Sequence, residues 1–131
     1  MNTLAKKING VIDFVITHAE YYNNLERDEL ERCAMLHAQY GTMLVLHDAL
    51  GISVVARWNV MADRETIHVI DIVIRPDLRR LKMLRYIAVQ IWKLNPNTKF
   101  FYYERHRREK SYGFNLRQWL KMEKSHERKI V

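Results

Sequence analysis

Asp71-Ile-Val-Ile-Arg-Pro-Asp-Leu-Arg-Arg-Leu-Lys82 is the stretch on which the fold turns. The run from Thr66 to Ile74 is dense in β-branched residues and predicts a strand. Pro76 stops it, because proline has no amide to give a ladder, and its fixed φ suits the first turn of a helix. Beyond it Leu78, Leu81, Leu84, Ile87, Ala88 and Ile91 fall at helical spacing on one stripe, while Arg79, Lys82, Tyr86 and Lys93 occupy another face. The expectation is a strand that runs directly into a basic amphipathic helix. A helix entered that way offers unpaired amides and the positive end of its dipole, an arrangement suited to phosphate. Arg75, Arg79, Arg80 and Lys82 crowd the same turn.

Outward from this junction the remaining elements are readable in coarser form. Leu4, Ile8, Val11, Ile12, Val15 and Ala19 predict a first helix over residues 3–21, and good helix formers predict a second from Leu25 to Gln39, stopped by Gly41. Thr42 to His47 and Ile52 to Met61 read as strands, the latter joined to the Thr66 strand by the polar connection Ala62-Asp-Arg-Glu65. Asn95-Pro-Asn-Thr98 is a turn, and Lys99 to Glu104, with four consecutive aromatics, reads as a buried strand. The order is helix, helix, three strands, helix, strand and a basic tail from about residue 105. This is an α/β (α+β) pattern with a mixed, mainly antiparallel sheet flanked by helices, and residues 1–131 suit one domain.

Composition narrows the classes of function. Cys33 is the only cysteine, so no intrachain disulfide forms, which points to a reducing, cytoplasmic setting. No stretch approaches the roughly 20 apolar residues of a membrane span, and none resembles a signal peptide. The six histidines never take metal-ligand spacing, so no metal is expected. The net charge of +7 is lopsided: residues 1–74 carry six Lys/Arg against ten Asp/Glu, whereas residues 75–131 carry sixteen against five. An anionic partner follows from that asymmetry, whether a phosphorylated cofactor, a nucleic acid or an acidic protein.

The element order and the strand ending Ile72-Val-Ile-Arg-Pro-Asp-Leu-Arg79 resemble the GNAT superfamily of acyl-CoA-dependent N-acyltransferases, whose corresponding strand ends V-x-P-x-x-R. In that family an R/Q-x-x-G-x-G/A loop holds the CoA pyrophosphate on its backbone amides. The resemblance makes Arg79 the opening residue, with Arg80 and Lys82 as further pyrophosphate ligands and the amides after Ile74 as the binding edge for the acyl carbonyl. The positions that the loop reserves for small residues are Lys82 and Leu84, so any phosphate contact relies on side-chain charge as well as on bare backbone. The resemblance implies acetyl-CoA as donor and a primary amine as acceptor.

Catalytic candidates follow from the same resemblance. The thiolate acid of the family is a tyrosine shortly before a Gly-Phe pair; here the pair is Gly113-Phe114, and Tyr112 is the choice, with water as the alternative. For the base, Asp71 or a water it orients is the choice, and His68 the other group available. Ideal alternation places Asp71 with Val69 and Val73, and His68 on the opposite face with Ile70, Ile72 and Ile74. A carboxylate among apolar neighbours would have the raised pKa that a general base needs.

A second function class competes. Residues 99–112 interleave aromatics with cations, and Arg105, Arg107, Arg108, Lys110, Arg117 and Lys121 belong to a basic carboxyl-terminal segment that suits DNA or RNA. The alternative is therefore a catalytically inactive GNAT-fold protein that binds nucleic acid or a protein partner there, of a kind at home in phage or mobile elements.

Overall fold

The computed structural model describes residues 3–19, 26–105 and 110–115. Within them the chain runs α1 (Thr3–His18), α2 (Arg27–Tyr40), β1 (Met43–Asp48), β2 (Gly51–Val60), β3 (Thr66–Ile74), a 3-10 turn (Pro76–Leu78), α3 (Leu81–Leu94), β4 (Phe100–Arg105) and β5 (Lys110–Asn115). The strands form one sheet in the order β1-β2-β3-β4-β5, antiparallel at every step except β3 to β4, which is parallel. That parallel step requires a crossover, and α3 supplies it.

The sheet is covered by α3 on one face and, over β1, β2 and the upper part of β3, by α1 and α2 on the other. Ile87, Ala88 and Ile91 of α3 pack with Val54, Ala56, Trp58, Ile67, Val69, Ile74 and Phe101. On the other face Ile8, Val11, Ile12 and Val15 of α1 and Leu30 and Ala34 of α2 pack with Val55 and Val73. Burial on two faces explains why β2 and β3 read as almost continuous apolar runs instead of alternating. Gly41 closes α2 in the left-handed conformation, with φ of 69°, and its amide bonds the Ala38 carbonyl.

Four expectations are corrected here. The β3 strand does not feed α3 directly: Pro76–Leu78 forms a 3-10 turn, Arg80 is extended, and the helix begins at Leu81. The Arg79 guanidinium, bonded to the carbonyls of Ile74 and His18, draws the chain back before the helix starts. Over Phe100–Tyr102 the β4 strand is buried on one side only: Phe101 is buried, while Phe100 and Tyr102 are 44% and 43% exposed. A fifth strand, Lys110–Asn115, lies within the segment expected only to be a basic tail.

The faces of β3 are the fourth correction. Arg57 pairs with Asp71 but Trp58 pairs with Val69, so Ile70 is an extra residue, a β-bulge. Below the bulge Ile67 and Val69 face α3; above it Ile72 and Ile74 do, and Val73 turns toward α1 and α2. Asp71 therefore shares a face with Val73 and with His68, and not with Val69. The bulge puts on one face the two titratable groups that regular alternation would have separated.

Candidate functional site

The β3 and β4 strands pair only from Thr66–Phe100 to Val69–Tyr103. Past Val69, β3 continues to Ile74 against β2, while β4 continues to Arg105 against β5. Among the described residues the facing edges of these upper halves have no strand partner, so the sheet forks, and the Ile70 bulge stands at the branch. Backbone groups of Ile70 to Ile74 on that edge are free of the ladder. Register places Tyr112 opposite Tyr103, on the last rung below the fork.

The chain above the fork carries the junction cations, and they divide in two. Arg75 is a structural clamp: its guanidinium engages Asp48 at the β1–β2 turn and Asp77 at 2.7 Å. These contacts hold both carboxylates below the ordinary aspartate range. Arg79 is committed too, with Nε 3.0 Å from the Ile74 oxygen and Nη2 3.0 Å from the His18 oxygen. Arg80 and Lys82 are exposed and make no ion pair among the described residues. α3 begins with no side-chain cap at Arg80, and although the Met83 amide bonds the Arg80 carbonyl, the amides of Leu81 and Lys82 open the helix beside these two cations, where an anion can meet both.

Asp71 lies beneath α1 and α2. Its side chain is 1% exposed, and Arg57, 12% exposed, grips it with Nη2 at 2.6 Å and Nε at 3.2 Å from both oxygens. Burial drives the Asp71 carboxyl up to about 7. His37 of α2 donates to or accepts from the Thr42 hydroxyl at 2.7 Å, and burial and the Arg57 charge hold its pKa below the ordinary value. The carboxylate that the sequence offered as a base is thus the core of a buried ion pair on the rung above the bulge. His68 sits one rung below the fork, half-buried, its ring edge-to-face on Tyr102 at 6.4 Å.

Ile74 is buried at the end of β3, and its carbonyl is taken by Arg79. Arg105 and Lys110 are register partners at the end of the β4–β5 pair; Arg107, Arg108, Arg117 and Lys121 lie outside the described residues. The residue missed in the sequence is Arg57. A cation inside Ser53–Trp58 signals a buried charge in need of a carboxylate, and Asp71 is the single carboxylate of the neighbouring strand.

Among the described residues no cluster of three or more His, Cys, Asp or Glu could hold a metal ion, and no helix is long and apolar enough to cross a membrane. The chain matches no protein-family model, no curated protein and no solved structure.

Proposed function

We propose that the domain is a GNAT-type acyl-CoA-dependent N-acyltransferase acting on a primary amine. The observation that carries this reading is the fork: a parallel strand pair that parts at a bulge, below a helix start bearing two exposed cations that make no ion pair among the described residues. Bound acyl-CoA supplies an acyl carbon activated as a thioester. Arg80, Lys82 and the first amides of α3 bind its pyrophosphate as anion ligands. Backbone amides of β3 between Ile70 and Ile74 hydrogen-bond the acyl oxygen, whose negative charge grows as the amine attacks. The Arg57–Asp71 pair positions that edge by locking the rung above the bulge. Because Asp71 is enclosed and gripped by Arg57, water at the mouth of the fork takes the amine proton, and Tyr112 returns a proton to the departing thiolate.

The enclosure of Asp71 also favours a second reading, a catalytically inactive GNAT-fold protein that binds nucleic acid or an acidic protein. Release of free CoA thiol from acetyl-CoA, assayed with a panel of primary amines, separates the two. The enzyme gives amine-dependent thiol release that falls at least tenfold in R80A/K82A. A chain that shows no release with any amine is the inactive form.

A further inference from the structure

We propose a second binding site, separate from the fork: the outer face of the β2–β3–β4–β5 sheet is a stacking platform for single-stranded nucleic acid. One rung crosses four strands as Asn59, His68, Tyr102 and Gly113. Paired residues on neighbouring strands share a face, so an amide, an imidazole and a phenol line up beside a glycine that adds no side chain. The next rung places Thr66 against Phe100, with Asn115 beyond. Phe100 and Tyr102 are exposed, and so is Asn59. The helices α1 and α2 pack mainly over β1, β2 and the upper part of β3, on the Val55 and Val73 side.

Exposed aromatic rings two residues apart on one face of a strand, as Phe100 and Tyr102 are on β4, cost solubility unless something stacks on them, and nucleobases do so with little regard to sequence. Amide side chains such as that of Asn59 offer both a donor and an acceptor to base edges. Charge selects the partner. Residues 75–131, which include β4 and β5, hold sixteen Lys/Arg against five Asp/Glu, and Lys99, next to Phe100, is exposed and held by Glu65 at 3.0 Å in a surface pair that a phosphate can exchange. A polyanion whose bases are unpaired satisfies both features, whereas a duplex hides its base faces.

The test is fluorescence anisotropy with the full chain and three labelled probes of about ten nucleotides or base pairs: single-stranded RNA, the matching single-stranded DNA, and duplex DNA. At least one single strand is expected to bind more tightly than the duplex. F100A and Y102A should each weaken that binding about tenfold, with an unchanged slope against salt, while Y102F keeps it. Each ring is more than half covered within the fold, so binding by each variant is read at a temperature where circular dichroism shows it folded. Two results would overturn the proposal: no binding of either single strand at low salt, or equal binding of F100A, Y102A and parent. Because these readouts need no acyl-CoA, they stand or fall apart from the acyltransferase reading.

Discussion

Replacing Asp71 by asparagine separates the two forces that act on the buried pair. Burial raises the Asp71 pKa from an ordinary 3.8 to about 7, while Arg57 at 2.6 Å pulls the other way. With the burial effect dominant, the folded chain holds a proton between those values that the unfolded chain has released. This group's contribution to stability is then complete below about pH 4, declines as pH rises, and is lost above about pH 7. From about pH 5 to about pH 8.5 the decline spans roughly two pH units, or about 3 kcal/mol at about 1.4 kcal/mol per unit. The total stability of a domain is only about 5–15 kcal/mol, so the effect is large. D71N keeps an oxygen for Arg57 and does not titrate. Urea unfolding of both proteins across this pH range, compared with m unchanged, should show the parent losing about 3 kcal/mol relative to D71N as pH rises. A parent that instead gains on D71N with rising pH would mean that the guanidinium outweighs burial, and would refute the reasoning.

Other perturbations follow from the same contacts. R57M removes the cation that favours the ionised form, so the pKa of the enclosed Asp71 carboxyl rises above about 7; the loss should be about 3–5 kcal/mol near pH 8, where the parent pair is ionised, and less near pH 5, where Asp71 is protonated in both, by chemical denaturation. R79A removes the bonds to the Ile74 and His18 carbonyls that tie the end of α1 to the end of β3, and should cost about 1–3 kcal/mol while leaving the secondary structure seen by circular dichroism intact. G41A meets no atom within 4 Å of the new methyl, so its loss of about 1 kcal/mol should arise wholly from the positive φ.

Much of the architecture was legible because the strongest signals were local. The stripe through Ile87, Ala88 and Ile91 faces the core as its spacing implied, and the Met61 to Glu65 connection closes the β2–β3 hairpin where polar residues cluster. What escaped was non-local. The Ile70 bulge lies inside six residues, Val69 to Ile74, of which only Asp71 is polar, so no alternation marks the slip. The delayed start of α3 depends on an arginine reaching a carbonyl of α1, His18, far away in the sequence. The junction cations were visible as a cluster, yet only tertiary contacts show that Arg75 and Arg79 are committed, whereas Arg80 and Lys82 make no ion pair among the described residues. Asp71 was singled out for its apolar surroundings; its burial and raised pKa agree with that, and its partner Arg57 needed the cross-strand register to be found.

The most direct test of the acyltransferase reading is the thermal midpoint of the full chain with acetyl-CoA, with CoA alone, and with inorganic pyrophosphate. A ligand present at about 100 times its dissociation constant stabilises the native state by about 2.7 kcal/mol, which for a chain of this size is a rise of roughly 5–10 °C. Acetyl-CoA and CoA should both produce such a rise, and R80A/K82A should abolish most of it without lowering the ligand-free midpoint. An unchanged midpoint at millimolar acetyl-CoA would contradict a fork built for acyl-CoA.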